Sequence, residues 1–400
     1  MKILSIETSC DETGIAVLEQ TAQGVIIRGN ALASQIELHA KFGGVFPMMA
    51  KRAHAEKITL LISQALDEAD LLEAVETPTQ GTDTALAFLH EKESALFDHI
   101  APFLTFYQKP EIDYIAVTVG PGLEPALWVG INAARALSTI WNIPIIPINH
   151  MEGHIVTAAV EKLEDLPAQV DNMYDFAELK FPLLALLVSG GHTELVVAST
   201  LGSYTKIGST RDDAVGEAFD KVARMLGLPY PGGPAVSALA RDYRTNHLVV
   251  GLPSEEFRLP RPMLHSGDFD FSFSGIKTAV LYAIRDLGRE LTNEDKMTLA
   301  CAFEDAVVEV LIHKTLKAAK EHHIQTIVVG GGVASNSYLR SELMAACKQH
   351  APEITLLFPE PWLATDNAVM IGLAAMTHIL SEQIKTSAPE LLVADGNLSL

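Results

Sequence analysis

Residues Ile3-Leu4-Ser5-Ile6, Glu7-Thr8-Ser9-Cys10-Asp11-Glu12-Thr13-Gly14 and Ile15-Ala16-Val17-Leu18 form two short apolar runs around a small polar turn. The pattern returns at Leu183-Leu184-Ala185-Leu186-Leu187-Val188, Ser189-Gly190-Gly191-His192-Thr193 and Leu195-Val196-Val197-Ala198. Aligned on Ser9 and Ser189, the apolar positions largely coincide, and each segment reads as a β-hairpin. A second pattern also occurs twice. Ile115 to Val119 runs into Gly120-Pro121-Gly122 and a helix-like stretch from Val129 to Leu137. Ile327 to Val329 runs into Gly330-Gly331-Gly332, then Ala334 to Ser337 and a helix from Tyr338 to Cys347, with Ser335 or Asn336 placed to cap it. Each half of the chain therefore holds a hairpin followed by strand, glycine turn and helix. A duplicated α/β fold with a cleft between the copies is the economical reading. Glycine turns at strand ends let backbone approach a phosphate, so two facing copies suit a nucleotide.

The rest of the chain fits two such domains. Four hundred residues exceed one ordinary core, at about 150 residues per domain. A composition 48% hydrophobic and 20% charged supports sizeable cores and excludes a disordered chain. The formal charge of −21 argues against a protein that coats nucleic acid or anionic membrane. Cys10, Cys301 and Cys347 form no C-x-x-C pair, which excludes a cysteine zinc site and fits a reducing cytosol. No apolar run approaches the roughly 18 residues of a membrane span. The first apolar run meets Glu7 too soon for a signal peptide. The expectation is a soluble cytoplasmic protein without a membrane partner. Residues 71–110 read as a surface excursion with one amphipathic helix, carried by Leu86, Leu89, Leu96, Phe97, Ile100 and Leu104. Glu161 to Ala177 reads as an acidic loop.

Chemistry-bearing residues stand at a few places. His150 and His154 are spaced i, i+4, so on a helix they share a face and can hold one metal. For the bare spacing, surface or capping histidines are the better explanation. Glu152 is not adjacent to the first histidine, so this is not the zincin H-E-x-x-H. A third ligand would have to come from elsewhere; Asp366 follows a turn-rich lead and reads as a helix cap, and spacing alone does not bring it to the histidines. Asp220 could accept from a ribose hydroxyl or pair with Arg224 on its own helix, and Lys277 could face a phosphate or solvent. Basic residues gather at Lys41, Lys51, Arg52 and Lys57, and at Arg258 and Arg261.

Together these strings resemble one family, the tRNA N6-adenosine threonylcarbamoyltransferases (TsaD or Gcp). The matching runs are Ile6 to Thr13, Gly43-Gly44-Val45 with Arg52-Ala53-His54, Gly120 to Leu123, His150 to His154 and Leu187 to Thr193. They continue with Asp212 to Lys221, Tyr230 to Pro234, Phe271 to Lys277, Gly330 to Asn336 and Thr365 to Asn367. Met48 after Pro47 and Glu124-Pro125 after the Gly-Pro-Gly-Leu string depart from the family pattern. The resemblance implies a duplicated actin, sugar kinase and Hsp70-like (RNase H-like) two-domain fold with an interdomain cleft. The first domain is expected over residues 1–150, with the helical insertion at 71–110, completed by 368–400. The second is expected over 151–367. By resemblance, His150, His154 and Asp366 bind one divalent ion, iron or zinc. Leu187, Val188, Ser189, Gly190 and Gly191, with Asp220, Gly233 and Asn336, bind threonylcarbamoyl-adenylate. The implied reaction moves the threonylcarbamoyl group to N6 of adenosine 37 in tRNAs reading codons that begin with A. The implied partners are the tRNA anticodon loop, a paralogous TsaB-like dimer partner and a TsaE-like ATPase. Glu12 or Asp11 is the candidate general base. A metalloprotease, a kinase of the same fold and a non-catalytic scaffold are the rival readings.

Overall fold

A computed structural model of the chain describes residues 1–164, 172–247 and 257–400. These fall into two compact units, Met1–Glu178 with Asp366–Leu400, and Leu179–Thr365. The first carries strands β1 (Lys2–Glu7), β2 (Glu12–Gln20), β3 (Val25–Ser34), β4 (Tyr114–Gly120), β5 (Ile145–Asn149), β6 (Val160–Lys162) and β7 (Met173–Phe176). They form one sheet in the order β5-β4-β1-β2-β3-β7-β6. The second carries β8 (Leu183–Val188), β9 (Thr193–Thr200), β10 (Ser203–Ser209), β11 (Thr326–Gly330) and β12 (Thr355–Leu357), in the order β10-β9-β8-β11-β12.

The duplication expected from the hairpins is present strand for strand. In each unit a central strand pairs antiparallel with the return of its hairpin and parallel with the strand before the glycine turn. The registers agree as well. Glu7 pairs with Gly14, and Leu187 with Glu194, an offset of 180 residues that equals the offset between Ser9 and Ser189. Glu7 in the first copy thus stands where Leu187 stands in the second.

Burial explains why these segments are strands. Ile3 to Glu7 and Leu183 to Val188 are buried along their whole length, as central strands covered on both faces must be. In the first unit Leu4, Ile6, Ile15 and Val17 share a core with the helices Pro47–Glu68 and Glu124–Trp141. On the opposite face Ser5 donates to the Ala368 carbonyl at the start of the helix Ala368–Leu380. In the second unit Leu184, Leu186 and Val188 pack with Phe219, Phe303 and Val307.

Three expectations change. The excursion holds three helices, Thr82–Ala85, Ala87–Lys92 and Ser94–Phe106, because the backbone leaves helical geometry at Leu86 and Glu93. Its Leu86, Leu89, Leu96, Ile100 and Leu104 are buried in the first unit's own core. The segment from 161 to 177 is not all loop. β6 and β7 pair with each other, and β7 pairs with β3, while residues 165–171 lie outside the described residues. That pairing draws the chain up to Glu178 into the first unit, so the crossing lies at 178/179 rather than at 150, and the return lies at 365/366. All three cysteines are free. No helix among the described residues is long and apolar enough to cross a membrane.

Candidate metal centre and glycine turns

The metal-ligand candidates meet within the first unit. Asn149 ends β5 and caps the helix His150–Thr157 by accepting from the Met151 amide at 2.9 Å. That start puts His150 and His154 one turn apart on one face, with ring centroids 4.8 Å apart. Asp366 comes from 212 residues beyond His154. It is not the helix cap, because Asn367 takes that role by accepting from the Met370 amide. Asp366 Oδ1 lies 3.2 Å from His154 Nε2 and 3.4 Å from His150 Nε2. One ligand atom from each of the three residues falls within 4.8 Å of the others.

The electrostatics of the cluster set burial against mutual attraction. Burial opposes charge on His150, yet Asp366 and Glu7 on either side of its ring push its pKa well above the usual value. Burial likewise opposes charge on Asp366, and the His150 and His154 imidazoles hold its carboxyl far below the usual range. Two imidazole nitrogens and one carboxylate oxygen, converging in a buried place, suit zinc or ferrous iron. His150 Nδ1 is occupied by Glu7 and Ser9, which leaves Nε2 for a metal. The residues fit one divalent ion.

Glu12 and Asp11 lie beside this cluster at the head of β2. The Glu12 carboxyl is pushed up to about 10 by burial first, then by the charges of Asp11 and Asp366. It therefore carries a proton at neutral pH in the cation-free protein. Glu152, the carboxylate between the histidines, is buried and hydrogen-bonded to His378 Nε2 at 2.9 Å. Glu152, the carboxylate nearest in sequence to the histidines, is thus not free to serve as the base of a zinc protease.

In the second unit, substrate candidates separate into open and engaged positions. A Cβ added at Gly190, Gly191 or Gly233 would meet no atom within 4 Å. None of these three has positive φ, so neither crowding nor backbone strain accounts for glycine there. Gly332, in the second copy's glycine turn, is open in the same way. Its signal lay in the Gly330-Gly331-Gly332 run. Neighbouring glycines differ: a Cβ at Gly331, with φ +90°, would lie 2.4 Å from the Val188 carbonyl oxygen, and one at Gly216 2.7 Å from that of Ser189. Leu187 and Val188 are wholly buried strand residues. Asp220 Oδ1 accepts from the Gly232 amide at 2.7 Å and so fixes the turn that presents Gly233. Asn336 caps the helix Ser337–His350, accepting from Leu339 while its amide donates to Ser237 and Glu304. Lys277 does not stand free, since with Lys221 it binds Asp213. Of the basic residues on the first unit's long helix, Lys51 pairs with Glu93 and Arg52 with Glu56.

The chain is similar to known proteins over most of its length. The chain matches the family model described as "TsaD: tRNA N6-adenosine threonylcarbamoyltransferase" over residues 26–75 and 107–373, a match that omits most of the three-helix excursion. It is 41% identical over 372 residues to a tRNA N6-adenosine threonylcarbamoyltransferase of Geobacillus kaustophilus, covering 93% of this chain and 90% of that one. It is 41% identical over 385 residues to the protein of the same name from Ralstonia pickettii, covering 96% and 92%. Among solved structures, full-length HypF in a phosphate- and nucleotide-bound form aligns with TM-score 0.52 at 13% identity, over 95% of this chain and 56% of that one. That likeness concerns the fold, which is of the duplicated actin and sugar kinase type. With that fold, the two-histidine, one-aspartate cluster and these relatives, the chain belongs to the tRNA N6-adenosine threonylcarbamoyltransferase family.

Proposed function

We propose that this chain transfers the threonylcarbamoyl group of threonylcarbamoyl-adenylate to N6 of adenosine 37 in tRNAs that read codons beginning with A. The convergence of His150, His154 and Asp366 in a chain of this family carries the reading. The donor is a mixed anhydride, so AMP leaves readily. The difficult party is the adenine amine, whose lone pair is delocalised into its ring, and the task is to position the two and stabilise charge on the carbonyl oxygen. A zinc or iron ion bound to the triad would supply Lewis acidity for that oxygen. The chain's own residues do the rest. Gly190, Gly191, Gly233 and Gly332 leave backbone uncovered for the adenylate, while Asp220 and Asn336 hold the turns that present it. Asp11 and Glu12 are the nearby carboxylates for the proton of the amine. The Glu12 proton is held first by burial, then by the Asp11 charge and then by that of Asp366, so neutralising Asp366 loosens that hold.

An anticodon-loop base is unpaired and can be splayed out without melting a duplex. A TsaB-like dimer partner and a TsaE-like ATPase belong to the same reading. Leu38, Phe42, Phe46 and Met48, an apolar run left 38% to 67% exposed, support a protein partner. The test is mass spectrometry of tRNA nucleosides after incubation with synthetic threonylcarbamoyl-adenylate, with and without those partners. Threonylcarbamoyladenosine in the digest is expected. Its absence in every combination overturns the proposal.

A further inference from the structure

We infer that Glu7 is a positioning residue for the metal site, fixing His150 as the tautomer that turns its Nε2 lone pair toward Asp366. The inference rests on the metal reading above. Glu7 ends β1 and is wholly buried, at the register position that Leu187 fills in the second copy. A lone carboxylate there would be strongly destabilising, whereas one that meets several donors is tolerated. Its Oε1 accepts from the Ser9 amide at 2.5 Å. Its Oε2 accepts from the Thr118 hydroxyl at 2.5 Å and faces His150 Nδ1 at 3.2 Å. An acceptor-only group opposite Nδ1 requires the ring proton at Nδ1. The Nε2 lone pair is then left for a cation. The Ser9 hydroxyl, 3.1 Å from the same nitrogen, shares that proton.

The second histidine is the internal contrast. His154 Nδ1 is buried and finds no hydrogen-bond partner among the described residues. Its orientation comes from packing and from Asp366 Oδ1 at its Nε2, with no carboxylate behind it. Glu7 therefore acts on one of the two imidazoles, and it links the carboxyl ends of β1 and β4 to the helix that follows β5. A carboxylate behind a metal-bound histidine orients the ring and raises its basicity, and its loss typically weakens metal binding roughly 10–100-fold.

The experiment uses the full chain, stripped with chelator and titrated with zinc alone. Wild type is expected to take up one equivalent. Glu7→Ala is expected to weaken binding roughly 10–100-fold, and Glu7→Gln less, since an amide oxygen can still accept from Nδ1. Failure of the wild type to bind zinc overturns the metal reading itself. Wild-type binding with unchanged affinity in both variants overturns the role of Glu7 alone. A second readout needs no variant. In the zinc-loaded chain labelled with ¹⁵N-histidine, the His150 ring should show a protonated Nδ1 and a metal-bound Nε2. Metal at Nδ1 overturns the inference.

Discussion

The two hairpins share a register and differ in what fills their turns. In the first copy the turn is packed with side chains. Glu7 is buried beneath it, the Ser9 hydroxyl reaches His150, and Asp11 and Glu12 crowd a cluster of charge. In the second copy Leu187 occupies the place of Glu7, and the turn Ser189-Gly190-Gly191-His192 is closed by its own backbone, with the Ser189 amide donating to the His192 carbonyl. The Ser189 hydroxyl accepts from its own turn, at Gly191 and His192. One copy fills its turn with side chains that adjoin the candidate metal cluster. The other strips its turn to backbone with open space above it. Duplication supplied the scaffold, and divergence at single register positions supplied two chemistries.

That contrast can be broken from either side. The largest effect is expected in the first unit. His150→Ala or Asp366→Ala should lower transfer roughly 10³-fold, the equivalent of the several kcal/mol attributed to a Lewis acid, with metal content falling in parallel by elemental analysis. In the second unit Gly190→Ala and Gly191→Ala should lower transfer by roughly tenfold or more while the thermal midpoint stays put, because the added methyl meets only the space a ligand would fill. Gly122→Ala should do the reverse and destabilise the fold, since its Cβ would lie 2.6 Å from the Ser9 carbonyl oxygen at φ +158°.

A third expectation concerns pH. The folded pKa of Glu12, about 10, lies above its ordinary value of 4.5. Its contribution is fully present below pH 4.5 and is lost as pH rises toward 10, because the folded state must hold a proton the unfolded state releases. Urea melts of the metal-free chain between pH 5 and 9 should show stability falling with pH, and Glu12→Gln should flatten that slope. The smallest effect is expected for Ser189→Ala, about 1 kcal/mol of stability for its hydrogen bonds within the turn. Ser9→Ala should register mainly in zinc affinity, measured by competition with a chelating dye.

Much of this architecture was legible in the chain. The strand pairs could be read because both hairpins alternate short apolar runs with small turns, and the offset between Ser9 and Ser189 proved to be the sheet register itself. Less local features were not. Spacing put His150 and His154 on one face, but Asp366 joins them from 212 residues away, and only the family resemblance named it. Glu7 could be seen as a carboxylate closing an apolar strand, yet its three donors come from Ser9, Thr118 and His150, which no local pattern unites. Lys277 reads as solvated or facing a phosphate, and is neither, since Asp213 lies against it. The excursion kept helical spacing across Leu86 and Glu93, so periodicity merged helices that the backbone separates.

The most direct test is t6A formation by one preparation, divided into metal-stripped and zinc- or iron-reloaded halves and supplied with threonylcarbamoyl-adenylate, tRNA and the partner proteins. Modified nucleoside is expected from the reloaded half alone. Equal yield from the stripped half, verified as metal-free by elemental analysis, would contradict a catalytic part for the His150, His154 and Asp366 cluster.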